Sequence, residues 1–327
     1  MNQPTLTRRA LMLALAACAG AAAVPAHAQD DYPARPITLV VGYPAGGSTD
    51  LTARLFGEAL SKRIGERVIV ENVGGAGGVI GAQRVAKARA DGYTLLLGAS
   101  NEMAIASLIN KAVKYDGLKD FTPIGMISTQ PMVLVASANS PIKNISEFLA
   151  QARANPGKFS FGTSGVGTAL HLSAESLKEA GGLQLVHVPY RGVAPLASDI
   201  MGGQLQFGVF VLSSALANIR ARKLVPIGLM QASRAPLAPE IPTFAEAGLK
   251  DVNMDIWFGL YGPANVPAPV VAKLRAALDD VLKMPEFRSK MQESGSTVAA
   301  PGVDLAQFQR KETEKYKRIV EFAKIEE

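Results

Sequence analysis

The sequence is poor in the residues that form cross-links and metal sites. It contains one cysteine, Cys18, and three histidines among 327 residues. A disulfide requires two cysteines, so none can form within the chain. Zinc-type sites require clusters of Cys, His or acidic residues at ligand spacing, and no such cluster occurs after residue 28. We therefore expect no metal and no cofactor.

Motifs for common enzyme chemistry are also missing. The segment from Gly162 resembles the nucleophile elbow G-x-S-x-G, but Val166 occupies the fifth position. A dinucleotide fingerprint beginning at Gly75 would need glycine where Ile80 stands, and no G-x-x-x-x-G-K occurs. A glycine-rich turn for close packing explains residues 72–81 better. The sequence predicts a protein that is not an enzyme. A serine hydrolase using Ser164 and His171 remains the alternative.

Positive charge is not concentrated in this chain. The formal net charge of +6 falls to +4 without Arg8 and Arg9, because residues 1–28 contain no Asp or Glu. Basic residues of the last predicted helix alternate with glutamates, which is typical of a solvated face. Binding of nucleic acid needs clustering on one face, so this class is excluded.

Residues 1–28 have the layout of an export signal. Arg8 and Arg9 precede an apolar stretch over residues 10–24, and residues 26–28 read Ala-His-Ala, a small-x-small cleavage site. We expect cleavage after Ala28 and a periplasmic location, with no disulfide in the mature chain. Lipidation at Cys18 is the alternative, and the export route, Sec or twin-arginine, is left open.

The remaining chain alternates between strand and helix patterns. Alternation of this kind, with apolar strands, predicts parallel sheets covered by helices, here as two sheets in two lobes. The proline-rich stretch 234–268 reads as a connection, and the helices at 269–282 and 305–325 are predicted to return to the first lobe. Predicted strands are 37–41, 68–71, 94–98, 132–137, 158–161, 185–188, 207–212 and 224–229, and predicted helices in between are 51–64, 79–88, 103–110, 145–154, 169–179 and 195–201.

Two strands end in loops that suit an anion. Residues 43–50 and 162–168 are rich in Gly, Ser and Thr, and each opens a helix. Amides at a helix N-terminus lack intrahelical acceptors and lie at the positive end of the helix dipole. Capping alone could explain some of the hydroxyls. Two such loops predict one cleft with two walls.

Seven motifs in order resemble one family. They are Tyr32-Pro33-x-Arg35-Pro36-Ile37, Pro44-Ala45-Gly46-Gly47-x-x-Asp50, Glu71-Asn72-x-x-Gly75-Ala76-Gly77-Gly78, Gly162-Thr163-Ser164-Gly165-x-Gly167-Thr168-x-x-His171-Leu172, Val188-Pro189-Tyr190-Arg191-Gly192, Gly202-Gly203-Gln204 and Trp257-Phe258-Gly259-Leu260. Together they resemble the tripartite tricarboxylate transporter receptors, also called Bug proteins.

The resemblance implies a periplasmic-binding-protein-like α/β fold, with two lobes, two hinge crossings and a ligand cleft between the lobes. It implies a monomeric receptor that takes a small carboxylate to membrane transporter subunits; a ligand sensor for a membrane signalling protein is an alternative. We assign residues 29–130 and 246–327 to lobe 1 and residues 131–245 to lobe 2.

The predicted ligand-binding residues lie in the two loops and at the ends of neighbouring strands. Many relatives carry an acid near the end of the strand after Gly-Gly-Gln, where Phe210 stands, so we expect a ligand without an ammonium group and Phe210 as an apolar wall. The alternative is that Phe210 faces the core of its lobe. The predicted residues are Tyr43, Ala45, Gly46, Gly47, Ser48, Thr49, Ser100, Asn101, Thr163, Ser164, Gly167, Thr168, His171, Tyr190 and Phe210.

Overall fold

The computed structural model describes residues 32–325 of the chain. The predicted signal peptide 1–28 and Cys18 lie outside these residues. Within the described range, no helix combines the length and the apolar character needed to cross a bilayer.

Residues 32–325 contain ten strands that are joined by hydrogen bonds into one path. The path runs β2-β1-β3-β9-β4-β7-β5-β6, and β8 and β10 also pair with β4. The strands are β1 Ile37–Val41, β2 Val68–Asn72, β3 Thr94–Ala99, β4 Phe121–Ser137, β5 Ser160–Thr163, β6 Val186–Pro189, β7 Phe207–Val211, β8 Leu224–Leu229, β9 Asp255–Pro263 and β10 Thr297–Val298.

Helices cover the faces of this sheet. A short 3-10 turn at Ala76–Gly78 precedes α2, and a π-helix at Asn101–Ile105 precedes α3. The α-helices are α1 Ser48–Ile64, α2 Val79–Ala86, α3 Ala106–Ile109, α4 Ile145–Ala154, α5 Ala169–Gly181, α6 Val193–Met201, α7 Leu212–Arg220, α8 Ala268–Lys283, α9 Pro285–Glu293 and α10 Leu305–Ala323.

The strand β4 belongs to both lobes. Its residues 121–131 pair with β9, and its residues 132–137 pair with β7 and β8. We call β1, β2, β3, β9, β10 and residues 121–130 the first lobe, and β5 to β8 and residues 131–137 the second. The chain returns through Asp255, which pairs with Pro131 on β4. The two crossings between the lobes therefore lie side by side.

Strand directions place the ends of both parallel sets at this hinge. β1, β2 and β3 are parallel, and two successive antiparallel pairings through β9 give β4 the same direction, so their carboxyl ends lie on the Pro131 side. In the second lobe β5, β6 and β7 are parallel, and Val211 at the end of β7 pairs with Met132. The carboxyl ends of both sets consequently approach the hinge from opposite sides.

The prediction that residues 234–268 are only a connection is wrong. Their second half forms β9, which lies between β3 and β4 in the sheet. Residues 255–262 contain no proline, and Pro263 and Pro267 lie at the strand end and before α8, where proline is tolerated. The prolines that suggested a connection lie before the strand and at or after its last residue, at residues 236–242 and 263–267. Because β4 pairs with strands of both lobes, the two predicted sheets form a single hydrogen-bonded path.

The two C-terminal helices behave differently from one another. α8 packs on α1 and β4 in the first lobe, as predicted. α10 contacts the π-helix and β4, but it also packs on α5 of the second lobe, where Arg318 lies 3.9 Å from Glu179. The prediction that α10 returns to the first lobe alone is therefore too narrow.

Candidate functional site

The first glycine-rich loop ends at the N-terminus of α1. Gly47 is the N-cap, and the first intrahelical bond joins Leu51 N to Gly47 O at 3.0 Å. The amides of Ser48, Thr49 and Asp50 precede that bond and therefore have no acceptor in the helix. Residues 45–47 are exposed, and Ser48 is half-buried. This end of α1 presents a row of N–H donors next to the hinge.

Asp50 holds this loop from behind. Its Oδ2 accepts hydrogen bonds from Gly46 N at 2.9 Å and Arg54 Nε at 3.0 Å, and its Oδ1 accepts from Asn72 Nδ2 at 2.9 Å. Burial opposes ionisation of Asp50, but the hydrogen bonds from Arg54, Gly46 and Asn72 outweigh it and lower the pKa. Both carboxylate oxygens are occupied by protein groups.

A second glycine-rich segment, residues 74–78, packs against the first loop. A Cβ on Gly81 would lie 2.7 Å from Gly42 Cα, and one on Gly42 would lie 2.6 Å from Gly78 O. Side chains at these positions would push the backbones apart. The structure thus supports close packing as the reason for the glycines of residues 72–81.

The end of β3 carries two predicted residues and one that sequence reasoning missed. Ser100 Oγ and Asn101 Oδ1 are buried without a hydrogen-bond partner among residues 32–325, and Asn101 Nδ2 donates to Gly77 O at 2.7 Å. Glu102, which is 1% exposed, accepts from Ala99 N at 2.6 Å and from Tyr43 Oη at 2.7 Å. It lies in the first turn of the π-helix Asn101–Ile105, a conformation often found at functional sites.

Burial raises the pKa of Glu102 to about 7, against the lowering effect of the bonds from Ala99 and Tyr43. The carboxyl thus ties the first loop to the end of β3, since Tyr43 belongs to that loop. Its sequence signal was weak: one acid directly after a buried strand and before apolar residues.

The second predicted loop is held by its own hydroxyl groups. Thr168 caps α5, because its Oγ1 accepts from His171 N at 3.3 Å, and that oxygen also donates to Gly165 O at 3.0 Å. Thr163 Oγ1 lies 3.0 Å from Gly165 O and 2.8 Å from His187 Nε2. Ser164 is half-buried and Val166 is exposed. Capping and loop bonding therefore account for both threonines.

His171 faces protein groups through both ring nitrogens. Its Nδ1 accepts from Gly167 N at 3.1 Å, and its Nε2 lies 3.5 Å from Glu175 Oε1. No hydrogen bond joins Ser164 to His171 in the part of the chain that is described. The nucleophile and base of the alternative hydrolase are therefore not assembled.

The other two predicted residues of the second lobe point into that lobe. Tyr190 Oη donates to Asp199 Oδ2 at 2.7 Å. Phe210 is 1% exposed and belongs to an apolar cluster with Leu196 and Ile200. The structure favours the alternative that Phe210 faces the core of its lobe.

The lobes approach each other next to the second loop. Gly167 lies so close to Ile109 of α3 that a Cβ on the glycine would be 1.9 Å from Ile109 Cδ1. Within residues 32–325, no hydrogen bond joins residues 43–49 to residues 162–168. The structure thus brings Tyr43 and Asn101 together in the first lobe and Thr163, Gly167, Thr168 and His171 together in the second.

A cavity of about 290 Å³ lies elsewhere, between β4, α8 and residues 300–306. Arg275 in its wall donates to the carbonyls of Pro123 and Ile124, and Asp279 accepts from Gly302 N at 3.0 Å. Pro123 and Ile124 lie near the start of β4, far along the strand from Pro131. We therefore do not place the site there. Residues 32–325 also contain no cluster of three His, Cys, Asp or Glu residues suited to a metal ion.

The chain is similar in sequence to a described receptor family. A model of the tripartite tricarboxylate transporter family receptor matches residues 52–325. The UPF0065 protein in the tcbD-tcbE intergenic region of Pseudomonas sp. (strain P51) is 35% identical over 316 residues, which cover 96% of this chain and 94% of that protein.

Solved structures show the same fold. MatC (Rpa3494) from Rhodopseudomonas palustris with bound malate is 31% identical, with a TM-score of 0.77 over 88% of this chain and 100% of that one. R. palustris Rpa4515 with adipate is 30% identical, with a TM-score of 0.81 over 90% of this chain and 99% of that one. Both matches extend over both lobes.

Proposed function

The chain belongs to the tripartite tricarboxylate transporter receptor family, and from that premise we propose that it captures a small organic carboxylate between its lobes in the periplasm. The bound molecule is then delivered to a membrane transporter of the tripartite tricarboxylate type. The family consists of solute-binding receptors, and we propose no catalytic step.

The observation that carries this proposal is the pair of helix N-termini at the hinge. α1 and α5 both begin directly after strands whose carboxyl ends lie on opposite sides of the same two crossings. Such helix ends bind carboxylates through backbone N–H groups. Malate and adipate, bound by the two similar structures, are both dicarboxylates. A ligand with a carboxylate at each end matches a site with two such helix ends.

We also propose that the ligand lacks an ammonium group. An ammonium buried in the cleft would need a carboxylate whose oxygens are not already occupied. The two acids behind the first loop, Asp50 and Glu102, direct all their carboxylate oxygens at protein donors. The end of β7 carries Val211 and Leu212 and no acid. Aliphatic or aromatic mono- and dicarboxylates therefore suit the site better than amino acids.

We also propose that the chain is exported and cleaved after Ala28. Lobe 1 comprises residues 29–130 and 246–327, and lobe 2 comprises residues 131–245. The intact mass of protein recovered from the periplasm would begin at Gln29. A mass that retains residues 1–28, or a lipidated Cys18, would contradict the cleavage site. Ligand-dependent hydrogen exchange confined to one side of those limits would contradict the lobe assignment.

A thermal-shift panel tests the ligand class. Malate, adipate, succinate, benzoate, aspartate and glutamate would each be added to the purified protein. A ligand that binds only the folded state raises its melting temperature by mass action. We expect a rise with at least one amine-lacking acid and none with the amino acids. A rise with aspartate or glutamate alone would overturn the amine-lacking proposal, and no rise with any acid would oppose carboxylate binding.

The substitution Ser48→Pro tests the role of the first loop. Ser48 is the first residue of α1, where proline is accepted, and Gly47 before it has φ −81° and ψ 173°, which a following proline permits. The variant removes one N–H donor without removing a bond of the helix. A hydrogen bond to a charged group contributes about 1.5–3 kcal/mol, so we expect affinity to fall by roughly 10- to 100-fold.

Ser48→Ala is the matched control, because it removes the hydroxyl and keeps the amide. It should bind more tightly than Ser48→Pro in the same calorimetric titration. Equal affinity of Ser48→Pro and the parent, with both folded, would refute the assignment of this helix end.

A further inference from the structure

Three aromatic rings lie stacked beneath the second loop. The rings of His171 on α5 and His187 on β6 are 3.7 Å apart between centroids and inclined by 15°. The ring of Phe161 on β5 follows at 5.0 Å from His187, inclined by 26°. The stack thus joins the helix that the loop opens to the two strands that precede and flank the loop.

Each imidazole holds one end of the loop. His171 Nδ1 accepts from Gly167 N at 3.1 Å, and His187 Nε2 lies 2.8 Å from Thr163 Oγ1. Because Gly167 donates to it, Nδ1 of His171 carries no hydrogen, and the ring hydrogen is on Nε2, towards Glu175. Thr163 has one hydroxyl hydrogen. When the Thr163 hydroxyl donates it to Gly165 O, His187 Nε2 carries a hydrogen and donates it to Thr163 Oγ1.

The groups around the stack favour a neutral His187 and orient the ring of His171. Glu175 lies beside His171 Nε2 and pairs with Lys178 at 2.7 Å. Burial opposes ionisation of Glu175, but hydrogen bonds from His171 and Lys178 outweigh it and lower the pKa. Burial lowers the pKa of His187 to about 4. His171 and Lys178 act in the same direction, and Glu175 acts in the opposite one. Two rings this close cannot both carry a charge without strong repulsion.

The loop has little room to move. Gly167 has φ +65°, and the approach to Ile109 leaves no space for a Cβ on it. A shift of Gly167 N away from His171 would therefore alter both the loop and its contact with the first lobe.

We propose that His171 and His187 are positioning residues of the second loop, residues 162–168. Their neutral rings fix the backbone at residues 163–167, and neither ring contacts the ligand. The proposal rests on the proposed function for its effect on binding. A His171 ring with its hydrogen on Nδ1 would present N–H to Gly167 N–H and would not hold the loop.

Substitutions that replace one ring nitrogen at a time test the proposal. In His171→Asn, the amide oxygen of asparagine can take the place of the ring Nδ1. In His187→Gln, the side-chain amide of glutamine can take the place of the ring Nε2. We expect His171→Asn and His187→Gln to keep the affinity for malate or adipate within about threefold. His171→Gln and His187→Leu remove the relevant partner, and we expect affinity to fall by about tenfold or more.

A second measurement does not depend on the ligand. Nitrogen NMR of the parent should show His171 with Nδ1 unprotonated, and the Gly167 amide should exchange slowly with solvent. That protection should persist in His171→Asn and be lost in His171→Gln. If the parent binds neither acid, the proposed function fails for those ligands, while the NMR result still decides the role of His171.

Two outcomes would overturn the proposal. One is a hydrogen on Nδ1 of His171 near neutral pH, with Gly167 protection unchanged in His171→Gln. The other is equal binding by His171→Asn and His171→Gln, which would indicate that the ring contributes only packing. Both asparagine and glutamine variants are compared with one another, so the test does not depend on the leucine variant folding.

Discussion

Glu102 is the acid near the first loop that no sequence motif marked. Its carboxyl is buried and hydrogen-bonded to Tyr43 and Ala99, and burial raises its pKa from 4.5 to about 7. In the unfolded chain the carboxyl ionises near 4.5. Between about pH 4.5 and 7 the folded state therefore binds more protons than the unfolded state, and this group's contribution to stability falls as pH rises.

Glu102→Gln should remove that pH dependence. The amide oxygen can still accept from Ala99 N, and the amide nitrogen can donate to Tyr43, whose hydroxyl also lies 2.9 Å from Gly77 O. A pKa difference of this size corresponds to roughly 3 kcal/mol, so relative to the parent the variant should gain several degrees of melting temperature between pH 5 and pH 8. Melting curves of both proteins across that range measure it.

The quantity to follow is the difference in melting temperature between Glu102→Gln and the parent at each pH, because other groups titrate in the same range. Burial raises the pKa of Asp255 to about 7, and this acts in the same direction; His187 acts oppositely, since its lowered pKa makes stability fall as pH drops below 6.5. Asp255→Asn is the matched control, because Asp255 is a second buried acid with a raised pKa, at the start of β9. A parallel pair of curves for the parent and Glu102→Gln would contradict the assignment.

At the residue scale, the sequence predicted positions better than it predicted roles. Ser100 and Asn101 directly follow β3, and Asn101 bonds to Gly77 of the second glycine-rich segment; their role in ligand binding stays a prediction. The ring stacking of His171 and the packing of Phe210 could not be predicted, because they depend on β6 and α6, which are separate elements of the chain. No local pattern distinguishes a wall of a cleft from a core residue on an all-buried strand.

The helix α10 shows how an element is fixed by a few buried polar groups. Gln309 is 1% exposed; its Oε1 accepts from Tyr261 Oη, and its Nε2 donates to the carbonyls of Met103 and Gly117. Trp257 Nε1 also donates to Tyr316 Oη at 3.1 Å. These bonds connect α10 to β9 and to the π-helix that begins at Asn101.

Gln309→Met should destabilise the protein by about 2–4 kcal/mol. Methionine has a similar shape, but it leaves two buried carbonyls and one buried hydroxyl without their partner. Gln307→Met is the matched control, because Gln307 is exposed on the same helix and should change stability by less than about 0.5 kcal/mol. Urea unfolding of the three proteins measures the difference; equal destabilisation by both variants would contradict the account.

Elements with a clear period were predicted closely, and those that cross between lobes were not. β1 and α4 have the predicted limits, because a β-branched buried run and an N-cap at Asn144 mark them locally. β9 was missed because prolines surround it, and the first half of β4 because its own prolines, Pro123 and Pro131, lie within a strand. Pairing with strands far along the chain overrides these local signals.

At the scale of the whole molecule, two crossings define the cleft. The first lies within one uninterrupted strand, β4, and the second lies beside it at Asp255, which pairs with Pro131. α10 spans the same region by contacting α5 and the π-helix. The order of strands and helices predicted two lobes, but the sharing of β4 by both lobes and the place of β9 in the first lobe needed the structure.

The central claim is that carboxylate groups are recognised by the helix ends on the two sides of this hinge. Calorimetric titration of the purified protein with adipate and malate, each compared with its uncharged diamide, tests it most directly. The account predicts binding of at least one of these dicarboxylates, with the corresponding diamide weaker by 100-fold or more, since it loses charge-assisted bonds at both ends. Equal affinity for a dicarboxylate and its diamide, or binding of neither dicarboxylate, would contradict it.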